Sequence, residues 1–415
     1  MLFRSTELIV LCTKEITPEC VQAIKTAKQK GQSQYDQFVE ERLVKCYRAI
    51  TDTIHRNKLL LFGTTENPAS NKTRNQISVL KSDCNLFASL YIACQAREGN
   101  LQEFFRHENH GSPPSLSCAG KMRSGQKSEL VQLLEASTTV ECPDVDLKVF
   151  DAAAVVNMLP PGKSKTFKDY ATFVFLNYVI KQAQNIKRID LIWDQYFENS
   201  LKRSTREARG LGVRRRVCDN ASIPVNWKSF LRSDENKKEL FHYLAESMTA
   251  IQLPGVEVIT TSGVDVLSPS PIETEGLTAG NHEEADTRIF IHVKHGSARG
   301  LKKVLIRTVD TDVVVLAIAY ARKLELHKLW IAFGVGNHFR YLPIHKITTS
   351  LTQQQCKALP FFHAVTGCDT VSYFAGKGKK TAFQAWKSNP EVTEIFRVLS
   401  SPQDTVSEEQ CRALE

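Results

Sequence analysis

No run in the 415 residues reaches the roughly 18 consecutive apolar positions of a membrane-spanning helix. The longest candidates are "VVVLAIAYA" and "FVFLNYVI". The start, "MLFRSTELIVLC", carries a short apolar patch without the core and cleavage site of a secretory signal, so an intracellular protein is expected. Eleven cysteines lie between Cys12 and Cys411 without one close C-x-x-C pair, which argues against a disulfide framework or zinc ribbon and for reduced thiols. Cys84, Cys94, His107, His110 and Cys118 form a loose group whose spacing fits no standard zinc pattern. Internal repeats and low-complexity tracts are also lacking. A hydrophobic share of 42% with 24% charged residues leaves soluble globular domains, and the length allows one large domain with a smaller one, or two ordinary ones.

What the chain does have is positive charge, and it is concentrated. The net charge is +9, and between Lys181 and Arg216 stand Lys187, Arg188, Lys202, Arg203, Arg206, Arg209, Arg214 and Arg215. Such density suits a phosphate backbone; a solvated helix face with a basic loop, and a nuclear-import signal at "RRR", is the plainer reading. The nucleus is the expected compartment.

Residues 1 to 145 read as mostly helical. "YDQFVEERLVKCYRAITDTIHR" and "DCNLFASLYIACQAREGNLQEFF" place apolar residues three and four apart, and "TTENPASNKTRN" and "HGSPPSLSCAGKMRSGQ" read as loops. From residue 146 short apolar segments, "DLKVFD", "RIDLIW", "VEVIT", "KVLIRT" and "KLWIAF", alternate with helical patterns. This alternation predicts an α/β domain: a central parallel sheet with helices on both faces, whose ligands gather outside the carboxyl ends of the strands. The segment 260 to 281 reads as a long exposed loop, and 388 to 415 as a C-terminal helix and tail.

Acids sit at those carboxyl ends. Asp151 ends "DLKVFD", Asp194 follows "RIDLIW", and Asp310 and Asp312 follow "KVLIRT". Glu284 and Asp286 in "NHEEADTR" begin a helix, and Asp369 in "TGCDTVS" precedes another helix start. Each taken singly is explained by helix capping. Together they form a set whose mutual repulsion calls for cations, and carboxylate-rich sites suit Mg²⁺ or Mn²⁺.

The order "VFDAAAVVN", "LIWDQYFENSLKRSTREARG", "EEADTR", "VDTDVVVLA", "GCDTVSYFAGKGKKTA", over about residues 146 to 387, resembles the PIN-like domain of the flap endonuclease (XPG/5′-nuclease) superfamily. The resemblance implies a PIN-like, Rossmann-like domain at 146–387, with a basic arch region at about 195–281 and a helix-hairpin-helix at about 367–387. It implies that Asp151, Asp194, Glu284, Asp286, Asp310, Asp312 and Asp369 bind two Mg²⁺ or Mn²⁺ ions for structure-selective phosphodiester hydrolysis. Lys202 and Arg206 would act on the scissile phosphate, and Lys202, Arg203, Arg206, Arg209, Arg214, Arg215 and Arg216 would line the path of nucleic acid, DNA ahead of RNA. Gly376, Gly378 and Lys380 would grip duplex away from the cut. Asp286 stands where the family commonly has glutamate, and Lys377 where it has an apolar residue between the glycines. No sliding-clamp-binding peptide and no membrane partner are recognised.

Two other readings fit parts of this set. One is a nucleic-acid-binding or scaffold protein that keeps the fold without the chemistry. The other is a haloacid-dehalogenase-like phosphatase built on "VLIRTVDTDVVVL"; only 103 residues follow Asp312, and they hold no G-D-x-x-x-D acid pair.

Overall fold

The computed structural model describes residues 18–52, 71–97, 99–104, 106, 113–118, 121–135, 141–196, 212–277, 285–402 and 405–414. The chain divides into two compact units, Met1–Pro113 with Cys118–Lys121, and Pro114–Ser117 with Met122–Glu415.

The first unit is helical, as its three- and four-residue apolar spacing predicts. Its long helices are α1 (Pro18–Val39) and α2 (Asn71–Ala96). α2 begins inside the segment read as a loop, with Asn71, Lys72, Thr73 and Arg74 already helical. Among the described residues of this unit only Arg42 is buried, its guanidinium donating to the carbonyls of Ala49, Ile50 and Asp52 at 2.8, 3.1 and 2.7 Å.

The second unit is built on a seven-stranded sheet: β1 (Leu147–Asp151), β2 (Arg188–Ile192), β3 (Glu257–Ser262), β4 (Asp265–Leu267), β5 (Lys303–Thr308), β6 (Lys328–Phe333) and β7 (Arg340–Pro343). The spatial order is β4-β3-β2-β1-β5-β6-β7, parallel from β3 through β6 and antiparallel at both edges. Running outward from β1, the chain first builds one side of the sheet and then the other. The order therefore reverses between β1 and β5, the kind of switch point where ligands of open α/β sheets bind.

The central strands are packed on both faces, and every residue of β1 and β2 is buried, the charged ones included. On one face Leu147, Val149, Val304 and Ile306 meet α3 (Lys127–Leu134), α7 (Ala285–Ala298), α8 (Thr311–Tyr320) and α9 (Gln353–Val365). On the other, Phe150, Ile189, Leu191 and Val258 meet α4 (Ala152–Met158), α5 (167–182) and α6 (Asp234–Met248). The expected α/β class, with helices on both faces, is what the chain adopts.

Three local features differ from expectation. β4 lies inside the segment read as a loop: Ser262 and Asp265 pair across the two-residue turn Gly263-Val264, a tight hairpin that the positive φ of Gly263 (57°) permits. The supposed tail contains a short helix, Glu408–Leu414. α3, grouped by sequence with the amino-terminal region, belongs to this unit, since Leu130, Val131 and Leu134 are buried in its core.

Several buried charged residues depart from the apolar plan, among them a pair on β2. Arg188 and Asp190 on β2 are both fully buried, and they join in a two-pronged ion pair at 2.7 and 2.6 Å. Arg188 is thus no part of a basic surface. His292 of α7 donates from Nδ1 to the same carboxylate at 2.8 Å, and burial holds its imidazole below the ordinary histidine range.

Candidate metal centre

The sheet delivers its acids to one edge. Asp151, the last residue of β1, caps α4 by accepting the Ala154 amide at 2.9 Å, and Thr308 at the end of the neighbouring β5 donates its hydroxyl at 3.3 Å. Asp194 lies just beyond β2 and accepts the Ala285 amide at 3.0 Å, which ties that strand end to the first residue of α7. Asp286 follows at the second position of α7. Asp310 caps α8, accepting the Asp312 amide at 2.9 Å. One carboxylate oxygen from each of Asp286, Asp310 and Asp312 lies within 4.8 Å of the other two.

Capping and clustering are therefore not competing explanations. The same carboxyl groups start helices and converge at the sheet edge.

The electrostatics divide this site into two parts. Around Asp151, burial and then the negative charges of Asp194 and Asp310 push its carboxyl up to about 7, against the Ala154 amide and Thr308 hydroxyl that favour the charged form. On the other part a cation is already present. Lys127, the first residue of α3, brings its ammonium to 2.8 Å from Asp312, 2.8 Å from Asp369 and 3.4 Å from Asp310. Burial opposes the charge on Lys127, but the three carboxylates more than offset it and hold its pKa above the usual lysine value. Burial likewise opposes the charge on Asp312, yet hydrogen bonds from His363 Nε2 at 2.7 Å and from Lys127 keep it well below the usual range.

A close backbone approach brings Lys127 to the acids. Gly125, two residues before it, lies against Gly367, two residues before Asp369; a Cβ on Gly125 would stand 2.8 Å from the Gly367 carbonyl oxygen, and Gly367 has φ +98°. Only glycine at both positions lets these two loops touch. No local pattern in the sequence marks Lys127 or His363. Lys127 lies in a polar stretch 183 residues from Asp310, and His363 in an apolar one, "PFFHAV".

The remaining sequence candidates are distributed differently. Glu284, Lys202, Arg203, Arg206 and Arg209 lie outside the described residues. Arg214 is engaged with Glu239 of α6 and with Asn236, while the Arg215 and Arg216 side chains are exposed. Gly376 and Lys380 are exposed and Gly378 caps α10 (Lys379–Ser388). The adjacent Lys379 is buried, donating to the His363 carbonyl at 2.8 Å and the Thr366 hydroxyl at 3.1 Å, and burial lowers its pKa to about 8. α9 ends at Val365 and no helix occupies 366–378, so the first helix of a hairpin is not found within 367–387.

No family model and no curated protein matches the chain. Solved structures do. One is the T5 D15 protein co-crystallised with metal ions, at 12% identity and a TM-score of 0.35, covering 65% of this chain and 83% of that one. Another is the catalytic core of Rad2 in complex with DNA substrate, at 13% identity and a TM-score of 0.36, covering 69% of this chain and 75% of that one; a second Rad2–DNA complex gives 13%, 0.31, 59% and 60%. These are distant likenesses. The functional reading rests on this chain's own strand order and carboxylates.

Proposed function

We propose that this chain is a divalent-metal-dependent nuclease of the PIN-like, flap-endonuclease kind. The observation that carries the proposal is the convergence of carboxylates at the β1/β5 switch point: one oxygen from each of Asp286, Asp310 and Asp312 lies within 4.8 Å of the other two, and the buried Asp151 is repelled by Asp194 and Asp310. A multivalent cation relieves that repulsion. The all-carboxylate donor set fits Mg²⁺ or Mn²⁺, which prefer oxygen ligands, and gives no reason to expect zinc. In this reading Asp151, Asp194, Asp286 and Asp310 hold the ion, with Glu284 beside Asp286 in the sequence as a further ligand. When bound, the ion acidifies a water and neutralises phosphate charge, so hydrolysis needs no serine or histidine nucleophile.

The chain's own residues supply the rest of this mechanism. Asp151 and Asp310 are fixed by the helices they cap, so their oxygens are pre-positioned. Lys202 and Arg206 are proposed to hold the scissile phosphate, and Arg203 and Arg209 to extend that path. Of the arginine triplet, Arg215 and Arg216 are proposed to follow the backbone, whereas Arg214 serves α6. Double replacement Arg215→Ala/Arg216→Ala is expected to reduce the slope of log affinity against log salt by about 1–2 for a duplex, roughly 0.9 for each phosphate no longer neutralised. Arg214→Ala should leave that slope nearly unchanged. A fluorescence-anisotropy salt titration separates the two.

The direct test is cleavage of labelled flapped, single-stranded and duplex DNA and RNA with Mg²⁺, with Mn²⁺ and with chelator. Cleavage that needs the ion is the expected result. Binding without cleavage in both metals would instead favour the scaffold reading, and a trapped aspartyl-phosphate on Asp310 the phosphatase reading.

A further inference from the structure

We infer that Lys127 stands in the place of a second divalent ion, so that this site takes one metal where the ordered acids alone suggest two. The inference rests on the metal-dependent reading above and refines it.

The acids form two overlapping groups that share Asp310, and Asp312 adjoins both, since one oxygen from each of Asp286, Asp310 and Asp312 lies within 4.8 Å of the other two. In the first group the buried Asp151 feels the charges of Asp194 and Asp310, with Asp286 close to Asp310. In the second, Asp310, Asp312 and Asp369 converge on one ammonium at 3.4, 2.8 and 2.8 Å. A single lysine that reaches three carboxylates from two loops performs the geometric task of an ion. It gathers oxygens from separate parts of the chain and offsets their repulsion.

Its position also excludes a metal from that place. Mg²⁺ needs oxygens at about 2.0–2.1 Å in near-octahedral array. An ammonium at hydrogen-bond distance from the same oxygens fills the space such an ion would use. Asp312 is committed on both oxygens: Oδ2 accepts from Lys127, and Oδ1 accepts from His363 Nε2 at 2.7 Å.

Lys127 is not a surface side chain that happens to reach in. It is 16% exposed, and the helix it begins is anchored by the buried Leu130, Val131 and Leu134. The Gly125–Gly367 approach closes the loop that carries Lys127 onto the loop that carries Asp369. Both ends of the interaction are thus held by backbone packing. Displacing the ammonium would mean moving α3 or uncoiling a side chain from three partners.

The test is a Mn²⁺ titration of the full chain followed by electron paramagnetic resonance, which counts bound ions and detects coupling between neighbouring ones. Wild type is expected to bind one equivalent with an uncoupled signal. Lys127→Met, similar in length but uncharged, is expected to bind two equivalents with a coupled signal, and Lys127→Arg to stay at one. Lys127→Gln carries the same expectation as the methionine variant should the latter not fold by circular dichroism. Two coupled ions in wild type with active cleavage would overturn the role of Lys127 and leave the nuclease reading standing. A folded Lys127→Met or Lys127→Gln protein that still binds one ion would overturn it as well. No Mn²⁺ bound by wild type, with no cleavage, would overturn both.

Discussion

Asp151→Asn is expected to stabilise the metal-free protein at pH 8 and, in the same molecule, to remove metal-dependent cleavage. Asparagine is as good an N-cap as aspartate, so α4 keeps its bond from the Ala154 amide to the side-chain oxygen at residue 151. What disappears is a buried charge. The folded carboxyl titrates at about 7 against an ordinary value of 3.8. A group whose pKa is raised by folding contributes stability that is fully present below the unfolded value and is lost as pH rises through the folded one. Metal-free wild type should therefore weaken between about pH 4 and pH 7 by roughly 2–4 kcal/mol through this group, and the asparagine protein should not. Added Mn²⁺ should restore the wild type and leave the variant unmoved. Cleavage should fall by about 10³-fold, the equivalent of the several kcal/mol a metal contributes to such transition states. Thermal melts in chelator at pH 5 and pH 8, beside a cleavage assay, measure both halves. A variant with wild-type pH dependence would show that Asp151 carries no such burden.

The second large effect concerns stability alone. Asp190→Ala is expected to destabilise the second unit by about 3–5 kcal/mol, because it leaves the Arg188 guanidinium in the middle of the sheet without its carboxylate. His292 would lose its acceptor at the same stroke. Asp190→Asn should cost less, since it still accepts a hydrogen bond, and a joint Arg188→Met/Asp190→Leu exchange should recover much of the loss by replacing the pair with apolar volume. Urea denaturation of the three proteins gives the ranking. Equal stability of the alanine variant and wild type would mean that the pair is solvated and not a core element.

Much of the sheet is legible in the sequence because its strands are buried on both faces and bounded by polar turns. "KVLIRT" and "KLWIAF" coincide with β5 and β6 to the residue, and "DLKVFD" and "RIDLIW" differ from β1 and β2 by one residue at an end. The edge strands are less legible. β4 has three residues and no apolar alternation, and it exists through pairing with β3 rather than through its own composition.

The acids could be picked out because each follows a strand, a local signal. The cation could not. Lys127 is joined to Asp310, Asp312 and Asp369 only by tertiary structure, and the one local trace is a pair of glycines, in "SGQK" and "TGCD", that look like ordinary turns. Arg188 shows the opposite failure. Read along the chain it belongs to a basic run, but alternation along β2 turns it towards α7 and Asp190. Local charge counts cannot see which face a strand residue takes.

The packing of α3 against the sheet has a practical corollary for the limits of the domain. A shortened protein starting at residue 146 would retain all seven strands of the central sheet, yet it would uncover the apolar ground under Leu130, Val131 and Leu134 and strip Asp312 of its ammonium partner. A piece that keeps this packing therefore has to reach back at least to Gly125, even though nothing before residue 146 looks, by its letters, like part of the same body.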